Sequence, residues 1–207
     1  MSIGPEAMPP SEAIVHTSRW IAAVWSVAVL AGVFGATRLE SRPGAVREAP
    51  PHWPNSSRVP RSGQHSLVVT FVRPDCPCSR ATLGELLRIQ KDQGSRVETV
   101  IVVSGSGKLG SPTSELPWGW DPGNAVVLFD KEGNEATRFG AATSGLTVVY
   151  SPSGKLLYAG GVTPARGHEG PNRGALAVLN AIATSRPVRG ARVFGCALQT
   201  TLTQEVP

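Results

Sequence analysis

Cysteine is nearly absent from this chain: three of its 207 residues, at positions 76, 78 and 196. A disulfide-stapled scaffold is thereby excluded, and any internal bridge leaves one sulfur over. Aromatic residues are scarce, at 6% of the chain, and runs of basic residues are missing, because the 16 Arg and 4 Lys stand singly. A binder of single-stranded nucleic acid would need stacking platforms and a continuous basic groove, so the formal charge of +5 reads as a solvated surface with no nucleic-acid partner. No internal repeat is visible. Plentiful instead are glycine, 23 residues, and proline, 18, in a chain long enough for one sizeable core and appendages but not for two cores.

Charge disappears altogether between Arg19 and Arg38. The intervening Trp20 to Thr37, WIAAVWSVAVLAGVFGAT, would span about 27 Å as a helix at 1.5 Å per residue, just enough to cross a bilayer. Trp20 and Trp25 lie toward one end, where interfacial aromatics are favoured. A cleaved secretory signal is the competing reading. Glu6 and Glu12 in the preceding segment and the poor small-x-small site at Val33-Phe34-Gly35 favour an uncleaved anchor. Arg38, Arg42 and Arg47 after the span outnumber Arg19 before it, which by the positive-inside count alone would keep the following domain cytoplasmic.

The stretch that follows, ESRPGAVREAPPHWPNSSRVPRSGQ, holds five prolines and no apolar periodicity, and reads as a semi-rigid spacer. Order is expected from Ser66, where Leu67-Val68-Val69-Thr70-Phe71-Val72 has the continuous apolar, β-branched character of a strand buried on both faces. A helix over Ser79 to Lys91, capped by Gly94, leads to a second strand at Val97 to Val103. Residues 105–124, with five Gly and three Pro, form a surface excursion in which Trp118 and Trp120 serve as loop anchors. A strand at Ala125 to Phe129, a short helix at Glu132 to Phe139, a hairpin of Leu146 to Tyr150 with Lys155 to Ala159, and a helix at Ala175 to Ala183 complete the pattern. The order implies an α/β fold, a mixed sheet with flanking helices. The expected organisation is an N-terminal tail at 1–19, a transmembrane anchor at 20–37, a Pro-rich linker at 38–64, a domain at 65–185 and a C-terminal tail at 186–207.

Phe71-Val72-Arg73-Pro74-Asp75-Cys76-Pro77-Cys78-Ser79 carries the chemistry: a buried strand, a tight turn, then cysteines opening a helix. A sulfur there faces unpaired backbone N–H groups and the positive end of the helix dipole, which favour thiolate and lower the pKa. Cysteines two apart stand at the edge of disulfide geometry, so a Cys76–Cys78 bridge would be strained and easily reduced. Cys196 lies in a tail that could fold back, where it would resolve a mixed disulfide or add a third soft ligand; otherwise it is a free tail thiol. His168, in Arg166-Gly167-His168-Glu169-Gly170-Pro171-Asn172, is either a further ligand, a base for Cys76, or part of a turn whose Asn172 caps the next helix. Gly105-Ser-Gly-Lys108 fails the phosphate-loop pattern, because Val102 and Leu109 occupy two required positions. Arg73, three residues before Cys76, stands where a peroxidatic cysteine would want Thr or Ser.

This strand-turn-cysteine segment resembles the thioredoxin-like superfamily, and within it the RedB-type membrane-associated proteins whose site reads CPC followed by Ser. The resemblance spans about residues 65 to 185, with Phe71 five residues before Cys76, and with Thr143 to Tyr150 and Tyr150 to Gly161 in the places of the third strand and closing hairpin. It implies a thioredoxin-like fold and thiol-disulfide exchange on protein or metallo-centre cysteines, with Cys76 attacking and Cys78 or Cys196 resolving. The partner implied is a protein thiol or thiol carrier, and the domain lies outside the cytoplasm despite the charge count. Two positions depart from the family: Ser79 stands at the usual resolving cysteine, and Gly145 where a cis-proline is expected. No cofactor follows from this reading. The competing class is a copper module in which Cys76, Cys78, Cys196 and His168 hold the metal, and a weaker one is a redox-inactive docking domain.

Overall fold

The apolar run after the proline-rich stretch forms β1 (Ser66–Val72), buried along its whole length at the centre of a five-stranded sheet. In this computed structural model, which describes residues 10–104 and 121–198, the chain divides into two units, Met1–Ser41 and Arg42–Pro207. The first is the helix α1 (Pro10–Glu40). Its segment Thr17–Arg38 has a mean hydropathy of 1.8 and is long and apolar enough to cross a membrane. Trp20, Ile21, Leu30 and Phe34 on it are exposed, as side chains are when lipid is their solvent.

In the second unit, β1 runs into α2 (Pro77–Gln93), and the chain returns as β2 (Val97–Ser104), parallel to β1. β3 (Val126–Asp130) pairs parallel to β2 and is followed by the short α3 (Asn134–Arg138). β4 (Leu146–Tyr150) and β5 (Leu156–Gly161) form the antiparallel hairpin, and α4 (Arg173–Thr184) closes the fold. The strand order β3-β2-β1-β4-β5, with β4 antiparallel to β1, is the expected mixed thioredoxin-like sheet with flanking helices. Each strand and helix read from the sequence in the described residues is present, with ends in this unit shifted by at most two residues, while α1 begins ten residues before the expected anchor. The excursion at 105–120, with Trp118, Trp120 and Lys108, lies outside the described residues.

Alternation along β1 explains its unbroken apolar run. Leu67, Val69 and Phe71 point to one cluster with Val100, Val102, Phe139, Val148 and Tyr150. Val68 and Val72 point to the other, with Leu83, Leu86 and Ile89 of α2 and Val178 and Ala181 of α4. Two full helices cover the second face. The first has only the five-residue α3 and must be covered by something else.

That cover comes from the two segments without periodicity. Residues 42–64, expected as a spacer, are seated on the sheet: Ala49 and Val59 are buried, and Trp53 packs edge-on against Phe139 and Tyr150, each at 5.2 Å between ring centroids. Backbone bonds from Trp53 N–H to the Gly154 carbonyl and from Leu156 N–H to the Pro51 carbonyl fix the segment on the hairpin, and the Tyr150 hydroxyl donates to Pro50. Ser57 Oγ and the Arg58 N–H donate to the buried Glu135 carboxylate. Proline-rich chain has little entropy to lose on ordering, and a few well-placed apolar anchors suffice to hold it. The C-terminal tail lies on the same molecule from the other direction. Val188 N–H bonds the Leu157 carbonyl, Gly44 N–H bonds the Val193 carbonyl, and Val193, Phe194 and Leu198 are buried.

Candidate functional site

α2 begins where β1 ends, and the turn between them is held by its own side chains. Arg73 N–H donates to Ser79 Oγ at 2.9 Å, and Cys76 N–H donates to the Arg73 carbonyl at 3.2 Å. Ser79, at the position of the expected second cysteine, thus closes the turn. Cys76 is the N-cap residue, with extended φ −106° and ψ 117°, and Pro77 fills the first helical position, where its missing N–H costs nothing. Asn, Asp or Ser would normally cap this end with an oxygen. Here no side-chain hydrogen bond caps the end, and the sulfur of Cys76 faces the backbone N–H groups of Cys78 and Ser79.

The tail delivers the third cysteine to the same point. Cys196 Sγ stands 2.7 Å from Cys76 Sγ, and both thiols are free. Ser144, just before β4, joins the two: its Oγ lies 3.4 Å from Cys76 Sγ and accepts the Cys196 N–H at 3.0 Å, while its own N–H donates to the Cys196 carbonyl at 2.8 Å. Arg73 adds a clamp, donating from Nη1 to the Ala197 carbonyl at 2.9 Å and pairing with Asp75 at 2.6 Å. Gly145, at the position of the expected cis-proline, has φ +90° and donates to the Phe71 carbonyl, and among the described residues no peptide bond is cis. A side chain at Gly145 would press on Thr82 and on the Phe194 carbonyl of the tail, so glycine here leaves room for the strap that carries Cys196.

The three thiols differ in acidity. Burial, the largest influence on Cys76, raises its pKa, but hydrogen bonds from Cys196 and Ser144, together with the nearby Cys78 and Ser79 N–H groups, outweigh it and bring the value down to about 7. Cys196 is pushed up to about 12 by burial, by donating to Cys76 and by the neighbouring thiolate charge. Cys78 is raised by burial and by Cys76, with the Gly167 N–H and Arg166 pulling the other way. Cys76 is therefore the thiolate near neutral pH and the other two are proton-bearing thiols. Alkylation of Cys76 is expected to rise sigmoidally with pH about a midpoint near 7 and to be roughly tenfold slower at pH 6 than at its plateau. Quenched mass spectrometry across a pH series checks this; a midpoint in the free-thiol range of about 8.5 would contradict it.

Cys78 lies beside Cys76, and His168 stands on the surface of its loop. The Cys78 thiol stays in contact with Cys76, and the Gly167 N–H and the Arg166 charge also act on it. His168 is exposed, with Nδ1 3.0 Å from the Arg166 carbonyl in a tight turn. Its loop is fixed by Gly170 N–H donating to Glu85 and by Arg88 bridging Glu85 and Glu169. Asn172 caps α4, accepting the Ala175 N–H at 2.8 Å. Among the described residues no group of three or more His, Cys, Asp or Glu could hold a metal. The four-donor set Cys76, Cys78, Cys196 and His168 does not form such a group. Ser144 and the clamping role of Arg73 were invisible in the sequence; the one pointer was that Ser144-Gly145 occupies the place of the family's proline turn.

No protein-family model and no curated protein matches the sequence. Among solved structures, the chain is similar to an uncharacterized conserved protein from Geobacillus kaustophilus, at 20% identity and a TM-score of 0.56, over 79% of this chain and 96% of that one. It is also similar to a hypothetical protein from Sinorhizobium meliloti 1021, at 22% identity and a TM-score of 0.52, over 67% and 81%. A pneumococcal exposed lipoprotein thioredoxin from Streptococcus pneumoniae strain TIGR4 matches at 22% identity and a TM-score of 0.41, over 58% and 84%. The first two likenesses are likenesses of fold.

Proposed function

We propose that the chain is a RedB-type, membrane-anchored thiol-disulfide redox protein whose working pair is Cys76 and Cys196, acting on protein or metallo-centre cysteines outside the cytoplasm. The observation that carries this reading is the 2.7 Å approach of the two sulfurs across 120 residues of sequence. The Cys76 thiolate attacks a substrate disulfide, forming a Cys76–substrate bond and expelling one substrate thiolate. Cys196 then loses its proton, attacks the Cys76 sulfur and expels the second thiolate, leaving a Cys76–Cys196 bridge. The substrate gains two electrons and the protein loses two, and a dithiol carrier returns them. Run backward, the same steps oxidise a dithiol. Cys76 is 0% exposed with the tail seated, so each cycle requires residues 194–198 to lift.

The chemistry is tested on the full chain in detergent by counting thiols with mass spectrometry, before and after dithiothreitol and with Cu(I). Two of the three thiols should be consumed reversibly, with no stoichiometric metal. One equivalent of bound Cu(I), lost in Cys78→Ser, would favour the copper module instead. A reporter fused after Pro207 tests the side of the membrane, and cytoplasmic activity would refute the assignment.

A further inference from the structure

A cavity of about 720 Å³ opens beside the strap that carries Cys196, lined by Thr163, Pro164, Arg173, Arg189, Arg192 and Phe194. Its volume lies in the range of about 300–1,000 Å³ that accepts a compact ligand or a few residues of peptide. Its charge is one-sided. Among the described residues no acidic side chain lines it, and none of the three arginines forms an ion pair. Arg73, Arg88 and Arg138, elsewhere on the domain, are all matched to carboxylates. The end of α4 is not itself the attraction, because Asn172 already takes the Ala175 N–H.

Position relates this cavity to the sulfur chemistry. Phe194 lies two residues before Cys196, so their Cα atoms are separated by at most about 7.6 Å. The Phe194 carbonyl also abuts Gly145, next to Ser144. A polypeptide whose cysteine engages the pair would pass its flanking residues over the cavity at about 3.3 Å per residue. Guanidinium groups match carboxylates with paired hydrogen bonds, and unpaired arginines around a concave surface raise the local concentration of acidic partners.

We infer that the cavity is a docking site for the acidic flank of the substrate polypeptide, one to three carboxylates placed two to four residues from its reactive cysteine. This rests on the redox reading above and names the substrate class for the same site. The test uses the full-length protein and two peptide mixed disulfides identical except for Glu or Lys at the flanking positions. At low salt the Glu peptide should form the Cys76–Cys196 bridge at least about tenfold faster than the Lys peptide, with the ratio falling as salt is raised. The ratio should approach one in Arg173→Gln/Arg189→Gln/Arg192→Gln and should persist in Arg96→Gln, an arginine outside the cavity. A ratio near one in the wild type, or a ratio kept by the triple variant, overturns the inference. Where no bridge forms with either peptide or with neutral 2-hydroxyethyl disulfide, the redox reading fails, and docking is then decided by fluorescence anisotropy of a Glu peptide carrying Ser for Cys. Binding that is lost in the triple variant upholds the site, and no binding overturns it.

Discussion

Replacing Cys76 with Ser is expected to lower the rate of exchange with a peptide disulfide by at least about a thousandfold, because the hydroxyl of Ser does not ionise near neutral pH and the chain has no other thiol of lowered pKa. Replacing Cys196 with Ser acts on the second half of the cycle. The first attack proceeds, no sulfur stands beside the mixed disulfide to expel the substrate, and a Cys76–peptide adduct accumulates toward one equivalent. Cys78→Ser should release the substrate as the wild type does. These three variants separate attack from resolution, and intact-mass spectrometry after acid quench reads all of them. An adduct that accumulates in Cys78→Ser and not in Cys196→Ser would transfer the resolving role to Cys78.

The second expectation concerns the seat of the strap. A Cβ at Gly195 would overlap the Ser144 carbonyl, which the chain crosses at backbone contact, so Gly195→Val cannot dock Cys196 against Cys76. Loss of the preorganised sulfur pair should slow bridge formation by at least about a hundredfold, a small part of the advantage that fixed geometry confers. The same change uncovers Cys76, which is 0% exposed beneath the tail. Its alkylation at pH 9, where ionisation no longer limits, should rise by about tenfold. Unseating Phe194 and Leu198 also removes apolar burial worth about 1.5–3 kcal/mol per side chain, so the melting temperature should fall while the sheet survives on β1, α2 and α4. Slower bridging with unchanged alkylation would mean that the strap does not cover the sulfur.

Much of the fold was legible because β1, α2, β4 and α4 carry their instructions locally: a β-branched run, a leucine stripe, Gly94 past a helix end, and Asn172 before one. The proline-rich segment and the tail carry no such period. Their burial depends on single residues, Ala49, Trp53 and Val59 on one side and Val193, Phe194 and Leu198 on the other. These residues have no face of their own and find one only where α3 is too short to cover the sheet. A lone tryptophan amid prolines was the available hint. At the site, a nucleophile at a helix start followed from Cys76-Pro77, since helix ends present the same N–H groups in any fold. The choice of Cys196 over Cys78 did not follow, because it depends on two bonds between Ser144 and Cys196, one to the Ser144 hydroxyl and one between backbones, that join positions 52 residues apart. The donor set with His168 fails for a related reason: spacing in sequence does not say from which side a loop delivers its side chain.

The central claim is that Cys76 and Cys196 form the working disulfide. The most direct measurement oxidises the full-length protein with one equivalent of a small disulfide, blocks free thiols, and maps the bridge by digestion and mass spectrometry. The account predicts a single Cys76–Cys196 link, with Cys78 recovered alkylated and the link fully reversed by dithiothreitol. A Cys76–Cys78 link, or three alkylated thiols with no bridge, would contradict it.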